Sequence, residues 1–175
     1  MDPKHKRPAE WPDLDAEEML RRLTKAGVDF VVIGGIAMLL HGSARLTRDL
    51  DILFAADDGN LQALGGVLVA LEAQLREVTE DMPFVPDART LRNVQLLTLD
   101  TTGGWLDVHR QIEGAPRYDI LRRNAERMDL GDFSVLVASP DDMIAMKLAA
   151  GRPVDLIDVE ELEAIKRLRR KTRRR

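Results

Sequence analysis

The sequence from Val31 to Leu53, VVIGGIAMLLHGSARLTRDLDIL, contains the two patterns that decide the fold. Its first part is a β-branched apolar run that ends in Gly34 and Gly35, which is typical of a buried strand followed by a tight turn. A short apolar helix, closed by another glycine, follows the turn. The segment that begins at Asp49 then alternates acidic and apolar residues, which predicts a strand with one acidic face.

Outside this stretch, the spacing of apolar residues predicts further elements of an α/β (α+β) fold. We expect helices over residues 14–26, 57–78 and 118–128 and from residues 139 and 153 onward, and strands over residues 93–99, 105–109 and 133–137. The segment DTTGG, which joins the first two of these strands, suits a hairpin. Ser139 is suited to cap the helix that follows it, Pro140 fits its first turn, and Asp142 stands at the capping-box position.

The chain of 175 residues is long enough to bury the core of one compact domain. It contains no cysteine, so disulfides and thiolate metal sites are excluded and any metal chemistry must rest on carboxylates. The N-terminal sequence lacks the apolar run of a signal peptide, and no stretch reaches the ~20 apolar residues of a membrane span. We therefore expect a cytoplasmic protein without a membrane partner.

Three aspartates form a candidate metal site. Asp49 and Asp51 stand two residues apart on the acidic strand, so their side chains point to the same side, about 7 Å apart along the chain. Asp107 lies in WLDVH, where alternation turns it to the face opposite Leu106 and Val108. Magnesium prefers oxygen ligands and takes carboxylates together with substrate phosphates. If the two strands are neighbours in the sheet, the three carboxylates converge.

Each part of this pattern has a simpler interpretation on its own. Acidic residues on a strand commonly face water, and glycine pairs are frequent in turns. A glycine turn before a helix, however, lets a phosphate approach backbone N–H groups where the helix dipole also favours an anion. The combination of the turn with the aspartates therefore favours phosphate and metal chemistry.

The stretch from Val31 to Leu53 resembles the signature of the DNA polymerase β-type nucleotidyltransferase superfamily: a strand, a Gly-Gly or Gly-Ser turn, a helix, and Asp-x-Asp on the next strand. Its Gly-Gly form, the spacing HG-x-x-R-x-T-x-D-L-D, and the later KLAAGRPVDLIDVEEL are similar to bacterial abortive-infection and toxin-type (AbiEii-like) nucleotidyltransferases. The resemblance implies the small mixed sheet of the nucleotidyltransferase fold with flanking helices. Residues 1–112 would be the catalytic core, and residues 113–175 a mostly helical C-terminal part.

The same resemblance implies a reaction and roles for individual residues. The reaction is transfer of a nucleoside monophosphate from a nucleoside triphosphate to an acceptor hydroxyl, with pyrophosphate released and two Mg²⁺ (or Mn²⁺) ions bound. Gly34 and Gly35 would hold the triphosphate, and Gly35 stands where many members have a serine. Asp49 and Asp51 would bind both metals, while Asp107 would complete the metal site and accept the proton of the attacking hydroxyl.

Four side chains between the turn and the acidic strand could also reach a phosphate: Ser43, Arg45, Thr47 and Arg48. Arg45 and Thr47 match the toxin-type stretch best, and Ser43 is a third nucleotide-binding candidate. Arg48 has the simpler role of balancing the charge of the adjacent aspartate. His41, just before a glycine, is expected to be a helix-end residue and not a ligand.

The C-terminal part contributes two further candidates for the catalytic site, Lys147 and Asp158. Lys147 interrupts MIAMKLAA, a helix that is apolar on nearly every side, so its ammonium must reach solvent or meet an anion. In toxin-type relatives a lysine at this place is thought to contact the triphosphate. Asp155 is explained by the start of the last helix, but Asp158 lies past the first turn, within the apolar arc. Asp158 could be catalytic, or it could be a structural partner of Lys147 or of a core arginine.

The segment KRLRRKTRRR, residues 166–175, forms a basic tail on an otherwise acidic protein. It holds eight of the 26 basic residues and none of the 30 acidic ones. Together with the toxin-like resemblance, the tail favours RNA, such as a tRNA end, as the acceptor, because dense arginines bind phosphates. A terminal charge run can equally be a solvated end without a function.

Other acceptors and partners stay open. An aminoglycoside-like or lincosamide-like antibiotic is the alternative acceptor, since an acidic protein suits a cationic substrate. A member that binds a nucleotide or a partner protein without turnover is a third possibility, although three intact aspartates argue against a decayed site. An antitoxin protein is a further possible partner.

Overall fold

A computed structural model of the chain describes residues 13–76 and 84–172. In chain order its elements are α1 (Ala16–Lys25), β1 (Phe30–Ile33), α2 (Gly34–His41), β2 (Asp49–Phe54), α3 (Asp58–Ala70), β3 (Gln74–Leu75), α4 (Ala88–Asn93), β4 (Leu96–Thr101), β5 (Gly104–His109), α5 (Tyr118–Asn124), β6 (Glu126–Asp129), β7 (Ser134–Val137), α6 (Pro140–Ala150) and α7 (Pro153–Thr172). The N-terminal residues 1–12, residues 77–78 of a predicted helix, and tail residues 173–175 lie outside the described part.

A seven-stranded mixed sheet forms the centre of the fold, with the strand order β3-β4-β5-β2-β1-β7-β6. The central strands β1 and β2 are antiparallel, whereas β5 is parallel to β2 and β7 is parallel to β1. The antiparallel pairs β4–β5 and β6–β7 extend the sheet on either side. The expected α/β fold with a mixed sheet and flanking helices is confirmed.

The core is aliphatic and is centred on the two middle strands. All four residues of β1 are buried. On β2, Leu50 and Ile52 have no exposed surface, whereas Asp49 and Asp51, which alternate with them, are partly exposed. Helix α1 adds three more buried side chains, Met19, Leu20 and Leu23. Strand β2 therefore has one apolar face in the core and one acidic face, as alternation predicts.

Two predicted boundaries are wrong in the first half of the chain. The helix expected over 57–78 ends at Ala70, because Glu72 adopts a left-handed backbone conformation (φ 52°) and the chain then enters β3, which pairs with β4. The strand expected from residue 93 begins at Leu96, because the residues before it form the short helix α4. The first difference depends on strand pairing and the second on a short helix, and local apolar spacing encodes neither.

The C-terminal part contains two strands in addition to its three helices. The helix expected over 118–128 ends at Asn124, because residues 126–129 form β6 and pair with β7, which outweighs helix propensity. Through β7 these strands join the same sheet as β2 and β5. Helix α7 packs against α6 and includes residues 166–172 of the basic tail. Within the described residues, neither this helix nor any other is long and apolar enough to cross a membrane.

The predicted turn and helix start are confirmed. Strands β4 and β5 form a tight hairpin in which Thr101 pairs with Gly104. At the start of α6, the hydroxyl oxygen of Ser139 accepts a hydrogen bond from the N–H of Asp142 at 3.2 Å, and Pro140 occupies the first turn. This cap fixes where α6 begins, and α6 forms part of the candidate site.

Candidate active site

Three carboxylates meet on neighbouring strands of the sheet. The register of β2 and β5 places Asp51 opposite Asp107 and Asp49 opposite Trp105. Asp49, Asp51 and Asp107 each offer one oxygen atom, and these three oxygens lie within 4.8 Å of one another. The two acidic segments of the sequence therefore form one cluster, which we call the acidic cluster.

A cavity of about 410 Å³ lies over the acidic cluster. From the sheet side it is lined by the three aspartates and by Gly34 and Gly35 at the start of α2. From the C-terminal part it is lined by α6 and the following loop, including Met146, Lys147 and Arg152. A pocket of a few hundred Å³ is the usual size for a small-molecule site. Carboxylates on one side and cations on the other suit a ligand that carries both metal and phosphate.

The two glycines let the backbone approach the acidic cluster closely. Gly34 has a positive φ of 65°, and a Cβ atom on it would overlap the carboxylate of Asp51. A Cβ atom on Gly35 would overlap the side chain of Thr47, including its hydroxyl oxygen. Thr47 thus fills the space that a side chain at position 35 would need. The serine that many superfamily members have at this place does not fit beside it.

Each aspartate of the acidic cluster accepts a hydrogen bond at its Oδ1 atom from a different part of the chain. Thr47 donates its hydroxyl to Asp49 at 2.8 Å. The Nε2 atom of His109, at the end of β5, lies 3.1 Å from Asp51. Arg76, which follows β3, donates from Nη2 to Asp107 at 2.7 Å. These bonds fix the orientation of carboxylates that would otherwise turn freely.

Two of these donors, His109 and Arg76, are not among the residues expected from the sequence. His109 could have been found, since it stands two residues after Asp107 in WLDVH and alternation turns it to the same face. Arg76 carries no such signal, because it lies in a segment whose apolar spacing predicts a helix. Its position at the site depends on the pairing of β3 with β4.

The surroundings of Asp107 make its carboxyl a weaker acid than usual. Burial raises the pKa of Asp107 to about 6, Arg76 opposes the rise, and the charges of Asp51 and Asp49 add to it. A carboxyl whose pKa lies near neutral is suited to accept a proton from a hydroxyl at physiological pH. In the metal-free protein Asp107 can therefore exchange a proton near physiological pH, and its carboxylate also lies where a cation ligand would be needed.

Lys147, on α6, is held by two buried aspartates of α7. Its Nζ atom lies 2.7 Å from Oδ2 of Asp158 and 3.2 Å from Oδ1 of Asp155. Arg45 also donates to Asp158, and Arg152 donates from Nε to Asp155 at 2.7 Å. Asp158 thus has the arrangement of a structural partner to Lys147 and an arginine. We call these two buried aspartates and their three cationic partners, Arg45, Lys147 and Arg152, the buried ion network. The three cations also line the cavity, where each can contact a phosphate.

Ser43 and His41 have partners outside the cavity. Ser43 donates its hydroxyl to Glu161 of α7 at 3.0 Å, and it is not among the described residues that line the cavity. His41 donates from Nε2 to the carbonyl oxygen of Ala138 at 2.8 Å and accepts from Arg169 at Nδ1 at 2.9 Å. These contacts connect α2 to the sheet and to α7. They agree with the helix-end role expected of His41.

The fold is shared with known nucleotidyltransferases. The structure is similar to that of the lincosamide antibiotic adenylyltransferase LnuA in its lincomycin-bound form, with a TM-score of 0.58 and 18% identity over 88% of this chain and 99% of that one. It is also similar to ANT(2")-Ia in complex with adenylyl-2"-tobramycin, with a TM-score of 0.52 and 14% identity over 90% of this chain and 94% of that one. At these identities the similarity shows the fold alone.

The sequence matches one protein family over most of its length. Residues 18–167 match the family described as "Nucleotidyl transferase AbiEii toxin, Type IV TA system". No curated protein sequence matches the chain. The matched region contains the glycine turn, the acidic cluster and the buried ion network between α6 and α7. The chain therefore belongs to the AbiEii toxin family and is a nucleotidyltransferase.

Proposed function

We propose that this nucleotidyltransferase uses divalent metal ions, held by Asp49, Asp51 and Asp107, to move a nucleoside monophosphate from a nucleoside triphosphate to a hydroxyl of RNA, such as a tRNA end. The observation that carries the metal requirement is the convergence of three carboxylate oxygens within 4.8 Å beside a glycine turn. The observation that favours RNA is the set of exposed basic side chains at the end of α7.

The acidic cluster has the chemistry of a magnesium or manganese site. Its ligand atoms are all carboxylate oxygens, which hard divalent cations prefer, and substrate phosphates can complete the coordination. Three negative charges this close repel one another, so a cation on them is favourable. When bound, the ions would lower the pKa of the attacking hydroxyl and neutralise the leaving pyrophosphate.

Residues of the chain itself would position the two substrates. Backbone N–H groups at the start of α2 lie at the cavity, where two glycines leave them open to a phosphate. Arg45, Lys147 and Arg152 line the same cavity and supply positive charge for a triphosphate. Asp107 would accept the proton of the attacking hydroxyl. Most of the rate enhancement would come from positioning and charge stabilisation.

The basic tail supports an RNA acceptor, and its side chains fall into two groups. Lys166 pairs with Asp141 at 2.6 Å and Arg169 with Glu126 at 2.9 Å, so these two cations are used within the protein. The other basic residues in the described part of the tail are exposed: Arg167, Arg170 and Lys171. Three exposed cations on one helix can bind nucleic acid phosphates whatever the base sequence.

An antibiotic acceptor is the second candidate. The net charge is −4, and many of the basic residues lie in the tail, so the rest of the protein is strongly acidic. An acidic protein would attract a cationic aminoglycoside. The family's description as a type IV toxin supports an antitoxin partner for either activity. The presence of all three aspartates argues against a member that binds without turnover.

Labelling separates these possibilities. The protein is incubated with Mg²⁺ and each α-labelled nucleoside triphosphate, together with either total RNA or a panel of aminoglycosides and lincosamides. Labelled RNA is the expected result, and chelation of Mg²⁺ should abolish it. Label in antibiotic alone would replace the RNA proposal, and label in neither pool with any nucleotide would refute it.

The variant Asp51→Asn tests the metal site in the same labelling assay. It keeps the shape of the side chain and removes one negative ligand, so we expect transfer to fall below detection. The thermal stability of the metal-free protein should hold or rise, because repulsion within the acidic cluster decreases. If Asp51→Asn transfers nucleotide like the wild type, Asp51 is not a metal ligand. If Asp51→Asn does not fold, the role of Asp51 is to stabilise the fold.

A further inference from the structure

Arg76 differs from the other two donors of the acidic cluster in carrying a permanent charge and in lying against an aromatic ring. Its guanidinium carbon lies 4.5 Å from the centre of the Trp105 ring, and its Nη2 atom lies 2.7 Å from Oδ1 of Asp107. The side chain of Arg76 is only 15% exposed, and that of Asp107 only 13%. The guanidinium is therefore held at two points in a largely water-free position.

Strand β5 supplies both of these contacts. Trp105 and Asp107 are two residues apart on β5, so their side chains share one face. The indole supports the flat side of the guanidinium while one N–H points at the carboxylate. A lysine could not reproduce this arrangement, because an ammonium is a point charge on a flexible stem.

We propose that Arg76 is a positioning residue for the metal site: it holds Oδ1 of Asp107 and so fixes the carboxylate in the orientation that leaves its other oxygen to a divalent cation. Hydrogen bonds that orient carboxylate ligands in this way commonly determine metal affinity. The positive charge of Arg76 also offsets one of the three negative charges in the cluster before a cation is bound. This inference rests on the proposed metal-dependent function.

An opposite role is conceivable for the same contact. A cation on a ligand oxygen could compete with the metal, in which case removing Arg76 would strengthen metal binding. A positioning role predicts the reverse, because an unsupported Asp107 would turn away from Asp49 and Asp51. The sign of the change in metal affinity therefore separates the two roles.

The test measures Mn²⁺ binding to the nucleotide-free protein by calorimetry and by electron paramagnetic resonance. We expect Arg76→Met to weaken Mn²⁺ binding by roughly tenfold or more, the effect typical of lost support for a metal ligand. Arg76→Lys should recover little of this loss, since it cannot stack on Trp105 and reach Asp107 together. In the transfer assay, Arg76→Met should raise the Mg²⁺ concentration at half-maximal rate by a similar factor.

Arg21→Met is a matched control elsewhere in the chain. Arg21 also lies over an aromatic ring, 4.8 Å from the centre of Phe133, and it pairs with Asp132. Its side chain is 21% exposed, close to the value for Arg76. Because Arg21 pairs with Glu17, Glu18 and Asp132 and not with an aspartate of the acidic cluster, Arg21→Met should leave Mn²⁺ affinity unchanged.

The outcomes distinguish this inference from the proposed function. Equal Mn²⁺ affinity in Arg76→Met and Arg21→Met would overturn it, and tighter binding in Arg76→Met would overturn it in favour of competition. Wild-type protein that binds no Mn²⁺ would refute the metal site as a whole. Wild-type binding that Arg76→Met weakens, without label in any acceptor, would leave the inference standing and refute the proposed function. If Arg76→Met does not fold, Arg76→Gln, which keeps an N–H donor on a shorter stem, takes its place with the same expected loss.

Discussion

The side chain of Thr47 occupies the space beside the acidic cluster that a side chain at position 35 would need. A side chain on Gly35 would overlap that of Thr47, whose hydroxyl donates to Asp49 at 2.8 Å. The threonine therefore needs a glycine opposite it, and the hydrogen bond to Asp49 depends on both positions. A carboxylate of the acidic cluster is oriented here by a pair of residues that lie twelve positions apart in the sequence.

This dependence predicts that Gly35→Ser alone destabilises the fold, and that it does so much less when combined with Thr47→Ala. The single change overpacks the site and should lower the free energy of unfolding by about 1–3 kcal/mol. The double change leaves room for the serine hydroxyl and should recover most of that loss. Urea unfolding of the two single variants and of the double variant gives the coupling energy between the two positions, which we expect to be about 0.5–3 kcal/mol. Additive effects would show that the two side chains do not compete.

At the scale of elements, the buried ion network ties α6, α7 and the loop before β2 together. Asp155 and Asp158 are at most 1% exposed, and each has two cationic partners. The Arg152 hydrogen bond, assisted by Lys147, holds the pKa of Asp155 at about 2. Asp155 is thus kept charged in the interior, and the cationic partners of both acids also line the cavity.

Lys147→Met should therefore weaken both folding and nucleotide binding. Loss of one cation from two buried carboxylates is expected to lower the free energy of unfolding by about 1–3 kcal/mol, and loss of a charged contact to the triphosphate to weaken binding by about 1.5–3 kcal/mol. Lys166→Met is the control, because Lys166 has similar exposure and pairs with Asp141 and Glu163 away from the cavity. Calorimetry with a nucleoside triphosphate separates the effects. Equal nucleotide affinity in the two variants would make Lys147 purely structural.

The end of α7 carries two kinds of basic side chain, those paired within the protein and those exposed to solvent. Replacing the exposed Arg167, Arg170 and Lys171 by glutamine removes cations without touching the paired Lys166 and Arg169. The log–log salt dependence of RNA binding should flatten by about 2, from about 0.7 per lost contact with single strands. The Michaelis constant for RNA should rise while the turnover number stays similar. The same replacement at three exposed arginines elsewhere is the control: Arg89, Arg117 and Arg123. An unchanged salt slope would remove the main support for an RNA acceptor.

At the scale of the whole molecule, sequence patterns predicted the centre of the sheet and not its edges. The alternation around Asp49 and Asp51 and the glycines at the end of β1 are local features, so they could be read directly. Arg76 lies 31 residues from Asp107, and only the pairing of β3 with β4 brings them together. Strand β6 was missed for a similar reason, since its pairing with β7 outweighs the helical spacing of its own residues.

His41 should make the stability of the whole protein depend on pH. Burial lowers the pKa of His41 below its ordinary value of 6.5, and its Nδ1 atom must be unprotonated to accept the hydrogen bond from Arg169. The unfolded chain therefore takes up a proton at a higher pH than the folded chain does. The contribution of His41 to stability is complete above about pH 6.5 and is lost as the pH falls toward its folded pKa.

Urea unfolding of wild type and His41→Gln at pH 5 and pH 7 measures this contribution. The wild type should lose more stability on acidification than the variant, because the variant has no group that must be protonated at this position. The comparison cancels the titration of the carboxylates, which both proteins share. Parallel losses would show that the contacts of His41 survive protonation.

The order of elements along the chain means that the acidic cluster can form before the cavity over it is closed. Once β1 to β5 have emerged from the ribosome, the growing chain already contains all three aspartates. The edge of β1 that will pair with β7 is still open at that stage. The second wall of the cavity arrives only with α6 and Arg152. A nascent chain that has not yet reached α6 therefore has the three aspartates of the acidic cluster without the wall that encloses the cavity above them.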